Sequence, residues 1–227
     1  VAVDVGTTTV VAQLVNLQSG KVLGVAGTHN MQAGYGEDVI SRMIYACGKE
    51  GKLDPLHKAV VTNINQLIHT LNKEKGIDSE KITCVAAAGN TTMSHLLLGL
   101  EPCTIRVEPY IPTANRFPPV KAADLGLRAH TNAVLHCLPC VSSYVGGDIT
   151  AGVLASGISD QSQISARLDG GTNGEIVGGN NEWLVCCSAS AGPAFEGGGT
   201  KCGMRATKGA IEKVRIRGAA VQYETIA

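Results

Sequence analysis

An excess of charge of either sign is absent from this sequence of 227 residues, which has 19 lysines and arginines against 19 aspartates and glutamates. Without a basic surplus, the chain is not expected to bind nucleic acid by electrostatic attraction. Its apolar runs all fall short of the roughly 20 residues that cross a membrane, and no secretory signal is visible. The composition therefore predicts a protein that has neither nucleic acid nor membrane as a partner.

The short motifs of several enzyme classes are also missing. The sequence has no G-x-x-x-x-G-K-[ST] phosphate loop and no G-x-G-x-x-G between a strand and a helix. It has neither the G-x-S-x-G motif of hydrolases nor the H-E-x-x-H motif of metalloproteases. The six histidines show no ligand spacing. These absences exclude the P-loop, dinucleotide-binding, serine hydrolase and zinc protease classes.

Cysteine is plentiful, with eight residues scattered along the chain. Several lie in apolar strand-like runs such as "ITCVAAA" and "WLVCCSA", which predicts free, buried thiols and a reducing, cytoplasmic compartment. The single C-x-x-C, from Cys137 to Cys140, has no second pair at zinc-site spacing, and no C-x₄-C-x₂-C is present. A metal or redox role for this pair remains an alternative to a structural role.

Apolar periodicity predicts alternating strands and helices. Strands are expected at "VAVDV", "VVAQLVNL" and "VLGVAGTHN", and later at "KITCVAAAGN" and "AVLHCLP". Two helices follow the third strand, and their expected buried faces consist of Val39, Ile40, Met43, Ile44 and Cys47, and of Leu56, Val60, Ile64, Leu67, Ile68 and Leu71. Further helices are predicted at "NTTMSHLLLGL", capped by Asn90 or Thr91, and at "VGGDITAGVLASG".

One arrangement occurs twice: a strand, a D-x-G-T turn, a strand, a tight turn and a third strand. The first copy begins at "VAVDVGTTT", and the second reads "ISARLDGGTNGEIVGGNNEWLVCCSA". Strands that alternate with helices indicate an α/β fold, and a repeat this long indicates a duplicated domain.

The D-x-G-T pattern suits the binding of a polyphosphate with a metal ion. An aspartate at a strand end can hold Mg²⁺ through water, and a following Gly-Thr turn offers backbone N–H groups and hydroxyls to phosphate oxygens. Two such turns that face each other would hold a polyphosphate from both sides. The residues concerned are Asp4, Gly6, Thr7, Thr8 and Thr9 in the first copy, and Asp169, Gly171, Thr172, Asn173 and Gly174 in the second. The alternative is an aspartate-started turn without a ligand.

Specific segments carry a family resemblance. "DVGTTTVVAQLVN" and "LDGGTNGEIV" resemble the two phosphate motifs of the acetate and sugar kinase, Hsp70 and actin (ASKHA) superfamily, and "VGGDITAGVLASG" stands where that superfamily has its connecting helix. More narrowly, "GNTTMSHLLLGLEP", "LPCVSSYVGGDITAG", "SASAGPAFEGGG" and "GMRATKGAIEKVRI" resemble ATP-dependent reductive activators of corrinoid proteins.

The resemblance implies an actin-like, ribonuclease H-like ATPase fold with duplicated βββαβα-type halves, the second half truncated. Residues 1–130 would form the first subdomain, with the phosphate-1 motif. Residues 131–227 would form an incomplete second subdomain, with the connecting helix and the phosphate-2 motif.

The resemblance also implies cofactors and site residues. ATP and Mg²⁺ would bind, with Asp4 and Asp169 near the metal through water. Asp148 would be a third catalytic carboxylate that orients metal or water; the alternative is a favourable charge at a helix N-terminus. Gly197, Gly198 and Gly199 would approach the ligand closely, and Glu196 is a candidate polar contact.

The implied activity is reduction of cob(II)alamin to cob(I)alamin on a corrinoid protein, with electrons from an iron–sulfur domain or a ferredoxin, and a homodimer is compatible with it. The chain departs from the family at Gly170, where an apolar residue is usual. It also lacks the family's adenosine-binding segment and its iron–sulfur domain. We therefore expect a piece of a longer protein, which in isolation binds ATP weakly and does not carry out the reduction.

Two other functions stay open at this stage. An activator of the 2-hydroxyacyl-CoA dehydratase type would hold an iron–sulfur cluster between two subunits, with Cys137 and Cys140 as its ligands. A nucleotide-sensing module would change its affinity for a partner without chemistry of its own. Fold alone does not decide among these functions.

Overall fold

The computed structural model describes residues 1–48, 52–171, 173–189, 204, 208–218 and 220–226. Its strands are β1 (Ala2–Val5), β2 (Thr9–Val15), β3 (Val22–His29), β4 (Cys84–Gly89), β5 (Val120–Lys121), β6 (Val134–Cys137), β7 (Ser165–Gly170), β8 (Gly174–Gly179), β9 (Leu184–Ala189), β10 (Ile211–Arg217) and β11 (Ala220–Thr225). Its α-helices are α1 (Val39–Ala46), α2 (Leu53–Lys75), α3 (Thr91–Leu98) and α4 (Gly147–Ser156). Short 3₁₀ helices span Met31–Tyr35, Ser79–Lys81, Cys103–Arg106, Ala122–Leu125 and Ile158–Asp160.

The first half of the chain is built on a six-stranded mixed sheet with the order β3-β2-β1-β4-β6-β5. β1 pairs antiparallel with β2 and parallel with β4, and β4 pairs parallel with β6. Because β6 belongs to this sheet, the strand after residue 130 packs with the first half. The division into subdomains at residue 130 stays a prediction, and this pairing favours a transition after Cys137.

The second half repeats the opening arrangement. β7, β8 and β9 form an antiparallel sheet in that order, and β10 pairs with β11 as a hairpin. β7, β8 and β9 are therefore arranged like β1, β2 and β3, as three consecutive antiparallel strands. This arrangement confirms the predicted duplication of strand, turn and strand.

The main core lies between the six-stranded sheet and α2 and α3. Val3 and Val5 of β1 are buried, as the alternation of the first strand predicts. All six apolar residues expected on the buried face of α2 are indeed buried. Asn90 caps α3, because its side chain accepts the N–H of Met93. A smaller cluster, Val145, Ile149 and Val177, joins α4 to β8.

The predicted face of α1 is partly wrong. Met43 is buried, but Ile40 and Ile44 are 40% and 54% exposed. Arg42 takes the buried position instead, and its side chain is fully enclosed. Arg42 is buried because its guanidinium donates hydrogen bonds to backbone carbonyls outside the helix. The apolar pattern of one helix gives no sign of such bonds.

The cysteine prediction is also partly wrong. Cys47, after α1, forms a disulfide with Cys103, while Cys186 and Cys187 on β9 are exposed. Cys140 is buried and Cys84 and Cys137 are half-buried free thiols, as expected for apolar runs. Disulfides are rare in reducing compartments, so the cysteines no longer support the cytoplasmic assignment as a group.

Among the described helices, none has both the length and the apolar character to span a membrane.

The start of α4 lies unusually close to the end of β4. A Cβ atom on Gly146 would lie 2.4 Å from the Cα of Asn90 and 2.6 Å from the carbonyl oxygen of Gly89. Both neighbours are backbone atoms, which cannot swing aside as a flexible side chain can. The absence of a side chain at residue 146 therefore sets how closely α4 approaches the first sheet.

We predict that Gly146→Ala lowers the free energy of unfolding by about 1–3 kcal/mol, because the added methyl overpacks this contact. Gly34→Ala is the matched control, since a Cβ there would meet no atom within 4 Å. Urea unfolding of both variants measures the effect. Equal stability of the two variants would contradict the proposed contact.

Candidate functional site

The two D-x-G-T turns face one cleft of about 700 Å³. From the first copy, Asp4 and the whole turn from Gly6 to Thr9 line it, and from the second copy Asp169, Gly171 and Asn173. Asp148 of α4 lines the same cleft. Residues about 165 positions apart in the sequence therefore line the same cleft, as the binding of one ligand from both sides requires.

Among the remaining predicted site residues, Gly174 is the one that the structure describes. Gly174 begins β8 opposite Gly170 and is not among the lining residues. Thr172, Glu196, Gly197, Gly198 and Gly199 lie outside the described residues, so their roles remain predictions.

The first turn is tight and is held from behind. A Cβ on Gly6 would lie 2.6 Å from the carbonyl oxygen of Thr9, so the turn needs glycine there. Asn30 donates from Nδ2 to the carbonyl of Gly6 at 2.8 Å, and its backbone N–H donates to the carbonyl of Thr8 at 2.9 Å. Carbonyls that accept hydrogen bonds on the core side do not present their negative ends to a phosphate.

Arg42 completes this support. Its Nη2 donates to the carbonyl of Thr7 at 2.7 Å, and its Nε donates to the carbonyl of Gly36 at 2.8 Å. Burial lowers the pKa of Arg42 to about 10, so the guanidinium still carries its charge at neutral pH. A positive charge thus lies directly behind the first D-x-G-T turn.

Asn90, the cap of α3, reaches the turn from the other side. Its Nδ2 donates to the Thr7 hydroxyl oxygen at 3.0 Å while its Oδ1 accepts the N–H of Met93. One side chain therefore fixes both the start of a helix and the threonine of the turn.

Four carboxylates share the cleft: Asp4, Asp148, Asp169 and Glu175. Burial raises the pKa of Asp148 to about 6, with further contributions from the charges of Asp4 and Asp169. Asp4 is open to the cleft, yet the surrounding protein desolvates it enough to raise its pKa, and the charge of Asp169 adds to this. Burial also raises the pKa of Glu175, and the charges of Asp148 and Asp169 raise it further.

A cation would relieve the mutual repulsion of these carboxylates. Their spacing indicates whether Mg²⁺ is a suitable cation. Among the described residues, no three histidine, cysteine, aspartate or glutamate side chains are close enough to ligate one ion directly. Mg²⁺ characteristically keeps several waters and takes one or two carboxylates. The dispersed carboxylates therefore fit a hydrated Mg²⁺ that Asp4 and Asp169 would hold through water.

Asp148 satisfies both interpretations of its position. It lies in the first turn of α4, and its Oδ1 accepts the N–H of Ile149 at 2.8 Å, which suits a charge at a helix N-terminus. It also faces the cleft carboxylates, as a metal-orienting group would.

Cys137 and Cys140 do not resemble surface cluster ligands. Burial raises the pKa of Cys137 to about 11 and also raises the pKa of Cys140. Metal ligation requires thiolates, and these environments disfavour the thiolate. Among the described residues, Cys137 and Cys140 also belong to no group of three histidine, cysteine, aspartate or glutamate side chains that could hold a metal ion.

Comparison with known families decides the relationship. A model described as the RACo middle region matches residues 1–161, and one described as the C-terminal domain of RACo, the ASKHA domain, matches residues 163–227. The chain belongs to the RACo family.

Individual relatives agree with this assignment. RACo-family similarity extends to the corrinoid activation enzyme RamQ of Eubacterium limosum, 34% identical over all of this chain and 38% of RamQ. A [Co(II) methylated amine-specific corrinoid protein] reductase of Methanosarcina barkeri is 26% identical over 96% of this chain and 41% of that protein. A solved reductive activator for corrinoid, iron–sulfur protein is 51% identical with a TM-score of 0.91, over 98% of this chain and 36% of that one. The chain therefore spans about two fifths of the length of these proteins.

Three charged residues near the site were not predicted from the sequence. Glu175 lies directly opposite Asp169 in the β7–β8 pairing, and Arg167 lies two positions before Asp169 on β7. The two-residue period of a strand places Arg167 and Asp169 on one face, so a closer inspection of this hairpin could have found both residues. Arg42 had no such local signal.

We predict that Asp148→Asn stabilises the metal-free, nucleotide-free protein at pH 8 by about 1–3 kcal/mol. The pKa of Asp148 is raised from 3.8 to about 6 on folding, so the folded state favours the proton. The stability that protonation supplies is complete below about pH 4 and is lost as the pH rises through 6. The advantage of the variant should therefore disappear towards pH 4.

Urea unfolding in EDTA at several pH values measures this effect. Asp124→Asn, which removes an exposed carboxylate that does not line the cleft, is the control. A pH-independent difference between Asp148→Asn and the wild type would contradict the assignment.

Proposed function

We propose that this chain supplies the nucleotide cleft of an ATP-dependent reductive activator of corrinoid proteins. The observation that carries the proposal is the meeting of two D-x-G-T turns at one cleft. Membership of the RACo family supports it, as does similarity to the corrinoid activation enzyme RamQ and to the corrinoid protein reductase.

The residues would divide the work as follows. The turn from Gly6 to Thr9 and the turn at Gly171 and Asn173 bind phosphate oxygens through N–H groups and hydroxyls. Asp4 and Asp169 would hold a hydrated Mg²⁺, and Asp148 would orient metal or water. When bound, Mg²⁺ neutralises charge on the phosphates and so favours their transfer to water.

The redox step would take place outside this cleft. One electron from an iron–sulfur domain or a ferredoxin reduces cob(II)alamin to cob(I)alamin on the corrinoid protein. Closure of the two turns around the nucleotide would couple hydrolysis to this transfer. A homodimer and a cytoplasmic location remain parts of the proposal; the free thiols of Cys84, Cys137 and Cys140 favour that location, whereas the Cys47–Cys103 bond counts against it.

We predict that Asp169→Asn in the full-length protein lowers the rate of Mg-ATP hydrolysis by about 100-fold, because a carboxylate that organises the metal is lost. ATP-dependent formation of cob(I)alamin, followed by its absorbance with a chemical electron donor, should fall in parallel. Asp124→Asn is the control that changes an exposed carboxylate elsewhere.

Two outcomes would count against the proposal. An unchanged hydrolysis rate in a folded Asp169→Asn variant would contradict the metal role. Equal cob(I)alamin formation by the wild type with ATP and with a non-hydrolysable ATP analogue would favour a nucleotide-sensing module instead.

A further inference from the structure

The lining of the cleft carries an unequal charge. Four carboxylates face it, whereas Arg167 is the single cationic side chain among the described lining residues. A polyphosphate that enters meets strong repulsion unless a cation lies near its oxygens. Mg²⁺ would offset part of this repulsion, and among the described lining residues Arg167 is the side chain that can offset more.

The guanidinium of Arg167 packs against α4 at Gly152, a position that we call its seat. A Cβ on Gly152 of α4 would lie 2.2 Å from the guanidinium carbon and 2.4 Å from Nη1. The guanidinium therefore lies flat against the helix at a position where any side chain would displace it. Gly152 also lines the cleft, so this seat is part of the site.

The ion pair of Arg167 with Asp169 engages one of its three side-chain nitrogens. Nη2 lies 2.8 Å from Oδ2 of Asp169, while Nε and Nη1 lie outside that ion pair. A guanidinium has five N–H donors in a planar fork, and this fork matches the geometry of a phosphate. The side chain is 28% exposed, so a ligand in the cleft can reach it.

We propose that Arg167 is a phosphate-binding residue of this cleft, which donates to the oxygens of a nucleoside polyphosphate from its seat on Gly152. This assignment rests on the proposed nucleotide function. Arg167 then serves both halves of the site: it steadies Asp169, and it adds a positive charge opposite the first turn. The phosphate-2 motif alone does not include this residue.

The test is calorimetric titration of the full-length protein with ATP in EDTA and, separately, with Mg-ATP. Arg167→Gln should weaken binding of metal-free ATP about tenfold, since a charge-assisted contact is lost. Arg167→Lys should lose less, because it keeps the charge but not the planar fork.

Gly152→Ala tests the seat while it keeps the charge. Alanine is a better helix former than glycine, and the methyl would push only the flexible end of Arg167 aside. We expect metal-free ATP to bind several-fold more weakly to Gly152→Ala. Leu154→Ala, on the exposed side of α4, should bind like the wild type.

Three results would overturn the assignment. Wild-type affinity for metal-free ATP in either Arg167→Gln or Gly152→Ala would do so. A loss confined to Mg-ATP would also do so, because it would show that Arg167 only positions Asp169. Failure of the wild-type protein to bind any nucleotide would overturn the proposed function as well, whereas the first two results would overturn the role of Arg167 alone.

Discussion

The guanidinium of Arg42 carries a positive charge into the core, and the first D-x-G-T turn is built on it. Its hydrogen bonds to the carbonyls of Gly36 and Thr7 join the segment before α1 to the turn after β1. A buried charge is costly unless it is well hydrogen-bonded, so these carbonyls are held firmly in place. The backbone of the turn is thereby fixed before any ligand arrives, which reduces what binding must spend on ordering.

The second turn is organised by different means. Its aspartate pairs with Arg167, which lies on Gly152, and the core beneath it is the small cluster of Val145, Ile149 and Val177. The first turn thus has a buried cation behind it, and the second has a half-buried cation beside it. A polyphosphate between them would meet positive charge from both directions, although the carboxylates dominate the cleft surface.

Much of the fold was predictable from local patterns. The alternation of Val1, Val3 and Val5 indicated a strand, and the spacing from Leu56 to Leu71 indicated α2, because burial on one face leaves a period in the sequence. The duplicated D-x-G-T turns indicated the cleft. Arg42, the exposed Ile40 and the Cys47–Cys103 bond were not predictable, because each depends on contacts between distant segments; that disulfide joins residues 56 positions apart.

The close contact at Gly146 also marks the point about which α4 would tilt. α4 extends 10 residues from this point, which is about 15 Å. Because the backbone at Gly146 lies close against Asn90, a tilt of the helix would turn about its N-terminal end. A rotation of about 10° would move its far end by roughly 2.5 Å, given a rise of about 1.5 Å per residue. Gly152, halfway along, would move by about half as much. A small tilt of α4 about this contact would therefore change the width of the cleft, because Asp148 and Gly152 of this helix line it.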